Sequence, residues 1–146
     1  MTAPRVFADT SVLALAIGGE HEHRASCRAL LAVATAGQVE LHVSVEALQE
    51  LLFHRTRRAG RDAAVADVRD SMRLCRVHSF DLTVLARTVD LVAATHLRGR
   101  DAVHASTAML HGFTEIVTTD ADFDGLPELA RLAPAEAVSR VDADGH

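Results

Sequence analysis

The sequence predicts a single α/β domain with a central, mainly parallel sheet flanked by helices. Three observations lead there. Short apolar runs alternate with longer stretches of helical periodicity along the whole chain, the pattern of parallel strands joined by crossover helices. The 146 residues amount to about one domain, with no linker, internal repeat or low-complexity segment between positions 1 and 146. Apolar residues make up 49% of the chain, and a domain of this size buries roughly 68–70% of its unfolded surface. With five Phe and neither Trp nor Tyr, core filling falls to Ala, Val and Leu.

The elements run in this order. Residues 4–9 read as a short buried strand ending at Asp9. Thr10 or Ser11 is placed to cap a helix through Val12-Leu13-Ala14-Leu15, which Gly18-Gly19 breaks. A second helix fits 22–36, with Ala25, Leu30, Leu31, Val33 and Ala34 apolar and Gly37 as its stop. Residues 39–43 alternate apolar Val39, Leu41 and Val43 with polar Glu40 and His42, a strand. Ser44 caps a helix to about Arg58, ended by Gly60, and 61–75 are helical again. Residues 76–80 form a short strand. Asp81 caps a helix over 82–97, with Leu82, Leu85, Val89, Val92 and Ala93 at helical spacing. Gly99 interrupts it, 101–111 continue as helix, and 115–118 make a strand. Pro127 and Pro134 punctuate the remainder, and about 141–146 read as a flexible polar tail.

Charge removes several functions. The net charge of −5 argues against a general nucleic-acid coat. All fifteen positive side chains are Arg. Without Lys there is no P-loop and no Schiff-base chemistry, while Arg suits bidentate phosphate contact. Arg55, Arg57, Arg58, Arg61, Arg69 and Arg73 crowd one stretch; interspersed with Asp62, Asp67 and Asp70, they also fit an ordinary solvated helix face. Cys27 and Cys75, with no CxxC, read as buried free thiols of a reducing compartment. No apolar run nears 18 residues and no basic-then-apolar leader is present, so a soluble, cytoplasmic protein without membrane contact is expected. His21-x-His23 lacks a second pair at zinc spacing, and there is no G-x-S-x-G elbow.

Four acids stand where a carboxylate needs a reason: Asp9 at a strand end, Glu50 within Glu46-Ala-Leu-Gln-Glu50-Leu-Leu, Asp101 opening Asp-Ala-Val-His-Ala-Ser, and Asp120 after Glu-Ile-Val-Thr-Thr. Ligands of open α/β sheets bind beyond the carboxyl ends of strands, so Asp9, Asp101 and Asp120 can meet at one rim. Converging carboxylates repel one another unless a cation lies between them. Mg²⁺ or Mn²⁺ and phosphodiester hydrolysis are therefore the leading chemistry. Each acid also has an ordinary reading: Asp9 as a strand-end turn or cap, Asp101 as a helix N-terminal acid, Asp120 as a turn residue with Asp122 capping the segment beyond it. Glu50 is a solvated helix position, with Glu46, one turn earlier, its rival.

Phe-Ala-Asp9-Thr-Ser-Val-Leu resembles the opening strand of a PIN domain. Ser44 with Glu50-Leu-Leu six residues on resembles the second acidic motif, Leu-Arg-Gly-Arg-Asp101-Ala-Val-His-Ala-Ser the third, and Ile-Val-Thr118-Thr-Asp120-Ala-Asp122-Phe123 the fourth. Glu20-His-Glu-His-Arg-Ala resembles the segment after the first helix of VapC-type toxins. The resemblance spans nearly the whole chain, in order. It implies a PIN fold and a divalent-metal endoribonuclease, most often a toxin with a cognate antitoxin and a homodimer. It assigns Asp9, Asp101 and Asp120 to the metal, with Asp122 auxiliary. Glu50 completes the acidic site, and the hydroxyls of Thr10 and Thr118 orient carboxylates. Arg55, Arg57, Arg58 and Arg61 would hold the RNA backbone, Arg planes standing in for scarce aromatics. Departures are His104 and Ser106, where small or aliphatic residues are common, and Glu46, where an apolar one is usual. A processing nuclease outside a toxin system and a non-catalytic RNA- or protein-binding module are the alternatives. A haloacid-dehalogenase-like phosphatase would need Asp-x-Asp at the first strand and a Lys; Ser11 and the lack of Lys exclude both features.

Overall fold

The order of the strands decides where a site can form. The computed structural model describes residues 2–144. Strand β1 (Arg5–Phe7) pairs in parallel with β2 (Glu40–Ser44), and β2 with β3 (Arg76–His78). Strand β4 (Glu115–Val117) pairs in parallel with β5 (Ala130–Leu132). Ala8, one residue past β1, bridges in parallel to Val117, and the Asp9 amide donates to the Val117 carbonyl at 3.2 Å. The strands therefore lie in the order β3-β2-β1-β4-β5. Numbering runs outward from the β1–β4 junction in both directions, which makes that junction the switch point where such sheets open a crevice.

Seven helices surround the sheet among the described residues: α1 (Thr10–Ile17), α2 (Arg24–Thr35), α3 (Val45–Ala59), α4 (Arg61–Leu74), α5 (Leu82–Ala94), α6 (Gly99–Leu110) and α7 (Pro134–Asp144). Alternation along the strands splits the core in two. Ala8 and Val117 face one cluster with Leu13, Leu30, Leu51 and Val141. Phe7 and Ile116 face the other, with Phe123, Leu129 and the small residues Ala102, Ala105 and Ala108 of α6. Those alanines leave room for α6 to lie close on the sheet.

Caps are as expected at two helices and different at a third. The Ser44 hydroxyl accepts from the Ala47 amide at 3.2 Å, and the Asp81 carboxylate accepts from the Val84 amide at 3.0 Å. At α1 the cap is Asp9 itself, because Thr10 is already helical. Gly60, with φ of 94°, turns the chain between α3 and α4 in a conformation that favours glycine. Cys27 and Cys75 are buried free thiols, pushed up to about 11 and about 12 by burial first.

Three features depart from expectation. Helix α5 ends at Ala94, and Leu82, Leu85, Val89 and Val92 point outward, Leu82 with 79% of its surface exposed. Val84 and Thr88 of α5 are buried, and Leu91 packs against the second cluster. Strand β5 and helix α7 were not anticipated. Pro134, read as a breaker, is the first helical residue, where its missing N–H costs nothing. The tail expected from about residue 141 is helix to Asp144, and the Val141 side chain is buried; positions 145–146 lie outside the described residues. Val141→Asp should lower stability by about 2 kcal/mol or more, since it buries a charge without a partner. Urea denaturation checks this, and an unchanged midpoint would mean that residue 141 does not pack in the core.

Candidate active site

Asp9 is held from both sides of the sheet junction. Only 4% of it is exposed. Its Oδ1 accepts from the Ser11 amide at 3.1 Å and the Ser11 hydroxyl at 2.6 Å. Its Oδ2 accepts from the Thr118 hydroxyl at 2.7 Å. Thr118 Oγ1 in turn accepts from the Asp120 amide at 3.0 Å. The ends of β1 and β4 are thus tied by side chains beyond the last backbone bridge. Burial pushes the Asp9 carboxyl up, against the opposing pull of Ser11, Thr118 and His104.

Glu50 reaches the same rim from α3. Its Oε1 accepts from Thr10 Oγ1 at 3.2 Å and lies 2.7 Å from His104 Nε2; its Oε2 is 3.9 Å from Arg100 Nη1. Burial works to raise its carboxyl, but His104, Thr10 and Arg100 outweigh it and hold the group below its ordinary value. Glu50, and not Glu46, is therefore the acid that α3 contributes to this rim. His104, which sequence reasoning treated as a departure bearing on pocket shape, is 2% exposed and sits at the centre of the site. The one signal for it was its position three residues after Asp101 on the same helix face. Ser106 is buried in α6 with no hydrogen-bond partner for its hydroxyl.

Asp101, Asp120 and Asp122 each offer an oxygen within 4.8 Å of the others. Asp101 lies in the first turn of α6, where the helix dipole favours an anion. Burial foremost, and next the nearby Asp120, nevertheless push its carboxyl up to about 6. Asp122 is anchored by its amide to Asp120 Oδ1 at 2.9 Å, and its carbonyl meets His96 Nε2 at 2.6 Å. Asp9 stands outside this trio.

A cleft of about 450 Å³ adjoins Glu50 and Thr10, lined also by Ala14, Phe53, His54, Arg57 and Arg100. Of the four arginines expected to face RNA, only Arg57 lines it. Arg55 is turned inward, its Nε 2.9 Å from Asp67 Oδ2 on α4, with 13% of its side chain exposed. Arg58 and Arg61 are exposed but do not line the cleft. Arg100 and the 58%-exposed Phe53 were not anticipated.

The family model of the PIN domain matches residues 6–129. The chain belongs to the PIN domain family. Ribonuclease VapC7 of Mycobacterium tuberculosis (strain ATCC 25618 / H37Rv) is 33% identical over 132 residues, covering 88% of this chain and 91% of the relative. Ribonuclease VapC13 of the same strain is 28% identical over 131 residues, covering 88% and 99%. Among solved structures, DNA-bound VapBC from Salmonella typhimurium superposes with a TM-score of 0.71 at 19% identity, over 91% of this chain and 99% of that one. The sarcin-ricin loop cleaving toxin VapC20 of Mycobacterium tuberculosis gives 0.68 at 19% identity, over 84% and 97%. The two solved structures share this chain's fold.

The PIN family implies a divalent metal, and this PIN domain's donor set fits one. Three carboxylates with oxygens within 4.8 Å of one another, one of them driven toward its protonated form first by burial and then by Asp120, are the hard oxygen ligands that Mg²⁺ and Mn²⁺ take. A carboxyl raised in the folded state binds more protons there than in the unfolded chain, so it removes stability as pH rises from about 4 to about 6. In metal-free protein, Asp101→Asn should therefore raise Tm at pH 7, with little change at pH 4. Mn²⁺ should stabilise the parent more than the variant. Scanning calorimetry at the two pH values checks both; a variant that melts below the parent at pH 7 would contradict the electrostatic account.

Proposed function

We propose that this PIN domain is a divalent-metal-dependent endoribonuclease acting as the toxin of a toxin–antitoxin pair. The observation that carries the reading is the convergence of Asp101, Asp120 and Asp122 within 4.8 Å, beside Asp9 and Glu50 at the sheet's switch point. Mg²⁺ or Mn²⁺, held by that trio and by Asp9, would supply charge neutralisation at a phosphodiester and activation of water. Oδ2 of Asp9 retains acceptor capacity beside Thr118.

The chain's own groups do the rest. Thr118 and Ser11 fix Asp9; Thr10 fixes Glu50. Glu50, held below its ordinary carboxyl value, stays ionised to orient water on the cleft side. Arg57 and Arg100 line that cleft and suit the phosphates on either side of the scissile bond. Phe53 offers an unpaired base a stacking face, so the scarcity of aromatics is no obstacle here. VapC7 and VapC13 are named ribonucleases, and the Salmonella structure is of VapBC; both support an RNA substrate and an antitoxin partner for this chain. The outward apolar stripe of α5 suits a homodimer. No helix among the described residues is long and apolar enough to cross a membrane, and a cytoplasmic site of action fits the reading. Strand β5 and helix α7 add to the sheet and the core.

Cleavage of a labelled single-stranded RNA in Mn²⁺ tests the proposal. Asp101→Asn and Asp120→Asn should each reduce kcat by about 100-fold or more, as should a chelator, while the joint change Arg57→Ala with Arg100→Ala should act mainly on KM. Parental cleavage in chelator, or full activity of either Asn variant, would refute the mechanism.

A further inference from the structure

His104 uses both ring nitrogens, and neither is used for packing. Nδ1 lies 2.6 Å from Ser44 Oγ, and Nε2 lies 2.7 Å from Glu50 Oε1 and 3.3 Å from Thr10 Oγ1. Ser44 is itself fixed, since its hydroxyl accepts from the Ala47 amide. A carboxylate can only accept, so Nε2 carries the proton and donates to Glu50. The order Ser44–His104–Glu50 has the look of a nucleophilic triad, but Ser44 is 1% exposed and caps α3. It cannot meet substrate. What the chain of bonds does achieve is to fasten a long side chain. Glu50 projects from α3 with its side chain 22% exposed, and three rotatable bonds would otherwise let its carboxylate wander. The His104 ring, locked by Ser44, takes one oxygen and leaves Oε2 on the cleft side near Arg100.

We propose that His104 is a positioning residue, which fixes the Glu50 carboxylate at the acidic rim through a rigid Ser44–His104–Glu50 relay. This rests on the ribonuclease reading, in which Glu50 orients water. Partners that orient active-site carboxylates are worth about 10–100-fold in metal affinity or activity.

Two conservative variants separate positioning from packing. The amide of His104→Gln reaches the place of Nε2 and can still donate to Glu50; that of His104→Asn reaches only the place of Nδ1, toward Ser44. His104→Gln should cleave RNA within about threefold of the parent. His104→Asn should lose about 10–100-fold in kcat, with KM and the Mn²⁺ affinity measured by calorimetry little changed. In a Glu50→Gln background the two variants should no longer differ. Equal losses in both variants, or none in His104→Asn, would overturn the proposal. An inactive parent would defeat the ribonuclease reading instead. The relay is then judged in metal-free protein by long-range ¹H–¹⁵N spectra. A protonated, hydrogen-bonded His104 Nε2 whose signal moves in Glu50→Gln supports it, and one that does not move refutes it.

Discussion

Several carboxylates packed at one sheet rim raise the free energy of the folded chain, and the arrangement around them is a response to that repulsion. Asp101 shows the conflict most plainly: it sits where a helix dipole favours an anion, yet burial and the neighbouring Asp120 push its carboxyl up to about 6. Asp9, more deeply buried, has two hydroxyls and an amide turned toward it. Glu50 has His104, Thr10 and Arg100. In the trio of Asp101, Asp120 and Asp122 the Asp122 amide donates to Asp120, and there a cation would do the most to offset the repulsion.

The sheet makes this crowding possible. Because strand order reverses between β1 and β4, the chain leaves the two strands in opposite directions and opens a crevice between them. The bridge from Ala8 to Val117 and the bond from Thr118 to Asp9 close that junction. Helix α6 then brings Asp101 and His104 over it, with Ala102, Ala105 and Ala108 allowing close approach to the sheet. Fold and site share the same few residues, so substitutions at Asp9 or Thr118 act on both.

Much of this was legible in the sequence. Asp9, Asp101 and Asp120 interrupt apolar patterns; each alone also reads as a cap, a helix N-terminal acid or a turn residue, and only their joint order points to one rim. Glu50 was not separable from Glu46, because residues four apart on α3 share a polar face and only the partner from α6 distinguishes them. The arginine run was visible as charge density, but which side chains reach the cleft depends on how α3 meets α4, where Asp67 captures Arg55. Arg100 lies beside Asp101 in the sequence, outside the denser arginine cluster, and only the packing of α6 against α3 brings it to the cleft. The C-terminal strand and helix were missed because β5 is three residues long and Pro134 reads as a stop at a position where helices begin.

The central claim is that Asp101, Asp120 and Asp122, with Asp9 beside them, hold one divalent ion. A crystal of the protein soaked in Mn²⁺ and measured at the manganese absorption edge tests it directly. The account predicts one anomalous peak bounded by those three carboxylates, lost in Asp101→Asn. A peak elsewhere on the protein with none at the trio, or a peak at the trio that survives Asp101→Asn unchanged, would contradict it.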